Sequence, residues 1–239
     1  SLTAPKHFDK RLPWLRQTAV CLLAVWKQRA KAIATLRQAD PLLAVLIDIY
    51  EPYPAASKPL ADTLLSALAK AIFYQSVSVQ SATAVYSRFL DLYCDRHFPS
   101  AQAILDTDDE VLRQVGLSRA KVRYLKALAE QVQVDLPSLE ALTTWDDETI
   151  VQRLTAIKGI GCWSVEMVLI FQLKRPDVLP ANDIGIRTAI RDLYRLDQLP
   201  DTATVKHLGE KWQPYRTIAS WYLWQSRNAA TRALLKDWS

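Results

Sequence analysis

Apolar residues return every three or four positions along nearly the whole chain, and no stretch alternates apolar with polar long enough to build a sheet. The series Leu22, Val25, Trp26, Ala30, Ile33 is one example within a helical run from Trp14 to Arg37; Leu60, Leu64, Leu65, Leu68, Ile72 is another. Such spacing puts one apolar stripe on each helix and forces helix-on-helix packing. Stop and start signals fit the same reading. Asp40-Pro41 is an N-cap followed by proline at the first helical position. Ser118 and Asp146 or Asp147 are further caps, Gly116 is a helix stop, and "EPYPAASKP" (51–59) is a loop. Helices are also expected over 78–93, 108–115, 118–132, 146–156, 162–173, 184–194, 204–212 and 216–237. The fold class is all-α, with about ten helices and no internal repeat.

A chain of 239 residues, half of them hydrophobic, can bury one large core or two smaller ones. It has no run of eighteen uncharged apolar residues, so no membrane span is expected. The start "SLTAPKHFDKRLPW" lacks a signal-peptide core, so an intracellular protein is expected. Cys21, Cys94 and Cys162 are too scattered for a zinc site or an iron–sulfur cluster, and their odd number argues against a secreted disulfide framework. The net charge of +5 is modest, but Arg113, Arg119, Lys121, Arg123 and Lys126 follow one another with no acid between them. That run is either a phosphate-facing surface or a solvated helix face, and charge alone does not choose.

Only five glycines occur, and two of them, Gly159 and Gly161, sit two apart in "LTAIKGIGCW". One helix stops near Ile157 and the next starts near Cys162. Glycine allows backbone angles closed to other residues and the close approach of a bulky partner. The second helix then offers free N–H groups and the positive end of its dipole, which suits a phosphate. Lys158 adds charge at the tip and Ser164 adds a hydroxyl. The same pattern also fits a plain turn between packed helices.

Residues downstream narrow the choice. "IKGIGCWSVEMVLIF" followed by "RPDVLPAND" resembles the helix–hairpin–helix DNA glycosylases that carry a Gly/Pro-rich loop ending in a catalytic aspartate. "AIFYQSVSVQSATAVY" and "WQPYRTIASWYLW" extend the likeness to the alkylation-repair branch, the 3-methyladenine glycosylase II type, over roughly 40–224. The resemblance implies a single two-lobed helical unit over 1–239. The hairpin lobe would span about 76–180. The second would pair about 1–75 with 184–239, without the added N-terminal β-sheet domain of some bacterial relatives.

The resemblance also implies a monomer acting on double-stranded DNA that contains alkylated bases, in the cytoplasm or nucleoid, or in the nucleus of a eukaryote. It implies base flipping and hydrolysis of the N-glycosidic bond, with no cofactor required. Asp183 falls at the catalytic position, with N-cap of the following helix as its other reading; Asp177 reads as a surface turn residue. Trp163 stands where strand-cutting relatives carry a lysine, which implies a monofunctional enzyme. Trp163 and Trp224 would line the base pocket, with Tyr50 and Tyr74 beside them. Trp221 and Tyr222 read as core, and Arg216 as holding a loop carbonyl or an acid. Lys158, Gly159, Gly161 and Ser164 would meet DNA. Gln75, Ser76 and Val77 would form the wedge that fills the gap left by the flipped nucleotide. The backbone carbonyls of Thr155, Ile157 and Ile160 would hold a Na+ or K+ ion. Two other readings are a glycosylase for another damaged base and a non-catalytic DNA-binding module. Relatives acting on oxidised pyrimidines or adenine mismatches commonly carry a four-cysteine cluster or the lysine, and both are absent here.

Overall fold

The computed structural model describes residues 28–50, 53 and 61–227. The stretch 14–27 of the helix expected over 14–37, Cys21, most of the loop 51–59, Leu60 and the end of the last expected helix lie outside the described residues. Residues 28–39 are helical and are called α1. Twelve further α-helices follow: α2 (Pro41–Ile49), α3 (Leu64–Tyr74), α4 (Val79–Leu90), α5 (Ala101–Asp106), α6 (Asp109–Gln114), α7 (Arg119–Val134), α8 (Leu139–Thr143), α9 (Asp147–Thr155), α10 (Cys162–Phe171), α11 (Ile184–Tyr194), α12 (Thr202–Gly209) and α13 (Arg216–Gln225). There is no strand among the described residues. The expected caps are in place. Asp40 accepts from Leu42 N and Leu43 N, Ser118 from Lys121 N at 3.2 Å and Asp146 from Thr149 N at 2.8 Å. Each satisfies a backbone donor that has no partner within its helix.

Among the described residues two apolar cores form. The first takes Leu68, Ile72 and Phe73 from α3, Leu125 and Leu128 from α7, and Val165 and Leu169 from α10, and it runs from Leu64 to Val178. The second joins Leu43 and Leu46 of α2 with Ile186, Ile190, Tyr222 and Leu223. The first core therefore takes in residues from Leu64 on, ahead of the lobe boundary expected near residue 76. The reason is that α3 buries nine of its eleven residues, and its apolar face packs on α7 and α10. The return lies between Val178 and Leu179.

Asp40 ties the second lobe together. It is 1% exposed, and besides capping α2 it accepts from Trp212 Nε1 at 2.7 Å and from the Tyr194 hydroxyl, with Lys211 Nζ at 3.3 Å. Burial works to raise the Asp40 pKa. The hydrogen bonds from Tyr194, Trp212 and Leu43, with the Lys211 charge, outweigh it and hold the carboxyl below its ordinary value.

Candidate active site

A cavity of about 1260 Å³ opens between the lobes, lined by α3 and α10 on one side and by the start of α11 and Trp224 of α13 on the other. Its walls follow from helical spacing. Ala67, Lys70, Ala71 and Tyr74 share one face of α3, and Trp163, Met167 and Phe171 share one face of α10. Phe171 stacks on Trp224 with ring centroids 5.8 Å apart. Met167, Phe171 and Lys70 escaped the sequence reading; the first two lie four and eight residues after Trp163, a spacing that would have found them.

Asp183 sits at the cavity wall and is the N-cap of α11. Oδ1 accepts from Ile186 N at 2.8 Å and from Trp224 Nε1 at 3.1 Å, and Oδ2 accepts from Trp163 Nε1 at 2.7 Å. Two lone pairs are used on Oδ1 and one on Oδ2, which leaves one acceptor position on Oδ2. Gly185 makes room for this: a Cβ there would come within 2.9 Å of Asp183 Oδ1 and 3.3 Å of Trp224 Cδ1.

The loop before Asp183 is held by α13. Arg216 donates through Nε and Nη2 to the Asp177 carboxylate at 2.8 and 2.9 Å, and again to the Asp177 carbonyl. Val178 N donates to Thr217 Oγ1, and Thr217 N to Pro176 O. Asp177 is thus a half-buried partner of Arg216 rather than a surface turn residue, and Arg216 holds an acid and a carbonyl together. Tyr222 is buried as expected, its hydroxyl accepting from Tyr53 N, and Trp221 packs edge-on to Tyr53 and Tyr222.

Of the two hairpin glycines only Gly159 uses backbone angles closed to other residues; Gly161 has φ of −100°, ordinary extended backbone. Gly159 has φ of +88°, and a Cβ there would fall 2.2 Å from the Tyr124 ring, so both its backbone and its space demand glycine. Gly161 is the N-cap of α10 and has open space on its Cβ side. Lys158 is exposed. Ser164, expected to face DNA, is instead 1% exposed and its hydroxyl accepts from Gln75 Nε2 at 3.1 Å. The backbone carbonyl of Ile157 accepts from Ile160 N at 3.0 Å, a use that leaves one of its lone pairs.

Among the three wedge residues, Ser76 and Val77 are exposed at the cavity rim, whereas the Gln75 side chain turns inward. Tyr74 lines the cavity, its hydroxyl 2.9 Å from Thr83 Oγ1. Tyr50 does not line it among the described residues; it lies at the end of α2 against the second core. The basic run divides. Arg113 pairs with Glu110, Lys126 with Asp109, and Lys121 donates to Phe73 O at 2.9 Å, while Arg119 and Arg123 are exposed.

Glu166, the single charged residue of α10, also escaped the sequence reading. Burial, and then the negative charge of Asp183, push its pKa up to about 7 against the opposing pull of Lys206. Among the described residues, no group of three or more His, Cys, Asp or Glu side chains could hold a metal, and no helix is long and apolar enough to cross a membrane.

Residues 69–214 match the family model for the HhH-GPD superfamily base excision DNA repair protein. DNA-3-methyladenine glycosylase 1 of Schizosaccharomyces pombe is 40% identical over 164 residues, 68% of this chain and 72% of that one. A solved structure from the same yeast, described as its 3-methyladenine DNA glycosylase in complex with abasic DNA, superposes with a TM-score of 0.78 at 35% identity, over 83% of this chain and 98% of the other. A DNA-3-methyladenine glycosidase structure from Bacillus halodurans gives a TM-score of 0.66 at 30% identity, over 83% and 90%. With the hairpin, the loop and the capping aspartate all within or beside the matched span, the chain belongs to the HhH-GPD superfamily of base excision DNA repair proteins.

Proposed function

We propose that the protein is a monofunctional DNA glycosylase of the 3-methyladenine glycosylase II type, which removes alkylated purines from double-stranded DNA by hydrolysing the N-glycosidic bond. The observation that carries this is a carboxylate, Asp183, fixed by three N–H donors at the wall of an aromatic cavity. The likeness to glycosylases over most of the chain supports it.

In this reading the hairpin N–H groups and Lys158 seat on phosphates without reading bases. The lesion nucleotide leaves the stack and its base enters between Trp163, Tyr74, Phe171 and Trp224, where the ring faces attract a cationic purine. As the glycosidic bond lengthens, positive charge grows on the sugar. The Asp183 carboxylate stabilises that charge, and the remaining acceptor position on Oδ2 orients the attacking water. Electron density from the bond leaves with the base, and water adds to the sugar carbon as its O–H bond breaks and the proton passes to the Asp183 carboxylate and on to solvent. Trp163 offers no amine to form a Schiff base, so the strand stays intact. A monovalent cation on the carbonyls of Thr155, Ile157 and Ile160 would reinforce the hairpin against phosphate; neutral oxygen donors suit such an ion.

The test is release of free base from methylated duplex DNA by the purified protein, with borohydride present in a parallel reaction. Release of 3-methyladenine without a trapped protein–DNA adduct is expected. A trapped adduct would refute the monofunctional reading, and no release from any alkylated duplex would refute the glycosylase reading in favour of a DNA-binding module.

A further inference from the structure

Gln75 caps the C-terminus of α3, its backbone N–H donating to Ala71 O and Ile72 O. The next residue, Ser76, has φ of +55°, a left-handed conformation unusual for a residue with a Cβ. The chain turns sharply there, so Ser76 and Val77 stand exposed at the rim while the Gln75 side chain points the other way. Its Nε2 donates to Gly159 O at 3.0 Å and to Ser164 Oγ at 3.1 Å. One acceptor is in the hairpin turn and the other in the first turn of α10. Both N–H groups of the amide are consumed, so Gln75 is not available to enter the duplex in this arrangement.

Two contacts from α7 complete the frame. Lys121 Nζ donates to Phe73 O beside the α3 terminus, and the Tyr124 ring abuts Gly159. The phosphate anchor and the insertion loop are each braced on α7 and are joined to each other through Gln75.

We infer that Gln75 is a positioning residue, a strut that holds the α3–α4 loop in register with the hairpin, so that seating the hairpin on the DNA backbone presents Ser76 and Val77 to the base stack. The inference rests on the glycosylase reading above. A loop already held in its inserting position loses less conformational freedom when it enters the duplex. The strut therefore favours the flipped complex and leaves binding to an intact duplex nearly unchanged.

The experiment compares affinity for a duplex containing a tetrahydrofuran abasic analogue with affinity for the same duplex undamaged. It uses the wild type, Gln75→Leu, Gln75→Ala, Ser164→Ala and the pair Gln75→Leu with Ser164→Ala, all checked by melting temperature. Gln75→Leu and Gln75→Ala should weaken abasic-analogue binding alike, by about tenfold, the order expected for lost hydrogen bonds at a buried acceptor. Undamaged-duplex binding should stay within about twofold. Ser164→Ala should reproduce part of the loss, and the paired variant should be no worse than Gln75→Leu alone.

Rescue by leucine where alanine fails, with no effect of Ser164→Ala, would overturn the strut in favour of a plug that fills the vacated stack. An unchanged ratio in both Gln75 variants, or an equal loss on both duplexes, would overturn it as well. If Gln75→Leu does not fold, Ser164→Ala decides: an unchanged ratio there refutes the strut. The binding arms need no turnover. A wild type that releases no base thus sinks the glycosylase reading without silencing the test of Gln75.

Discussion

Replacing Asp183 by asparagine separates its cap from its proposed catalytic role, and the hydrogen bonds around it show how to do so cleanly. Asparagine is nearly isosteric and retains one oxygen. Placed at the Oδ1 position, that oxygen keeps the bonds from Ile186 N and Trp224 Nε1, so the α11 cap survives. The amide NH2 then occupies the Oδ2 position and faces Trp163 Nε1–H at 2.7 Å, donor against donor. The opposite rotamer places that conflict at Ile186 N and Trp224 Nε1, two donors instead of one. The expected state is therefore a kept cap and a displaced Trp163. Loss of a hydrogen bond to a charged acceptor costs about 1.5–3 kcal/mol when buried, and at this half-exposed site the lower figure applies.

Displacing Trp163 would alter the base pocket as well as the chemistry, so Trp163→Phe supplies the baseline. It removes the opposing donor and keeps an aromatic wall. Single-turnover base release should fall less than about tenfold in Trp163→Phe. Adding Asp183→Asn should lower it a further 100- to 1000-fold, the usual order for one preorganised electrostatic group. The loss should be smaller for 3-methyladenine, whose cationic base departs readily, than for neutral hypoxanthine. Abasic-analogue binding should hold throughout. Rates for the double variant within tenfold of the Trp163→Phe baseline on both lesions would show that Asp183 is a cap and nothing more.

Three further outcomes are expected. A Cβ at Gly161 would meet nothing within 4 Å, so Gly161→Gln should cost only the loss of a good N-cap, about 1 kcal/mol or less, while affinity for undamaged and lesion DNA falls together; affinities equal to the wild type's would make the hairpin purely structural. Glu166 ionises in the unfolded chain near 4.5 but in the fold only near about 7, so its contribution to stability is full below 4.5 and is lost as pH rises through that window. Glu166→Gln should therefore gain stability relative to the wild type between pH 4.5 and about 7, by no more than about 3 kcal/mol, and a pH-independent difference in denaturant midpoints would refute the assignment. Asp40→Asn keeps the α2 cap on its oxygen but sets its NH2 against Trp212 Nε1–H, donor against donor, and should cost about 2–3 kcal/mol at pH 7 in chemical denaturation. The wild-type carboxylate's advantage over that variant should shrink as pH falls below about 4, since the Asp40 pKa is lowered in the fold.

What was legible in the sequence is what depends on neighbours along the chain. The caps at Asp40, Ser118 and Asp146 and the long helices follow from local pattern. Helices α5 and α8, six and five residues long, were missed because so few turns establish no periodicity and no glycine stop marks them, as Gly116 marks the equally short α6. The inward turn of Ser164 was missed for a different reason. In "CWSVEMVLIF" apolar residues surround the helix on all sides, so no stripe declares which face meets α3 and α9. The basic run left two readings open because the partners of Arg113 and Lys126 lie just outside it, on α6. Gln75 and Tyr50 depend on contacts between distant parts of the chain, which periodicity does not encode.

The stretch from Gly159 to Asp183 acts as a measured spacer because neither end can slide. At its start, Gly159 is pinned between Tyr124 and the Gln75 amide. At its end, Asp183 is pinned by Ile186 N and two indoles from different helices. Between them, Arg175 N bonds back to Leu169 O, the Arg175 guanidinium reaches Trp145 O at 2.6 Å, and Arg216 clasps Asp177. A loop whose polar groups are met by α13 and by the segment after α8 keeps a fixed path although it has no secondary structure. The residue that closes that path is an N-cap, so the turn that starts α11 also sets the direction of the Asp183 oxygens. An aspartate in mid-helix would swing with its rotamers, whereas a capping carboxylate is held by the backbone itself. In the proposed mechanism the chemistry therefore rests on a residue that the fold already needs, with the cap fixing Oδ1 and leaving one position on Oδ2 for water.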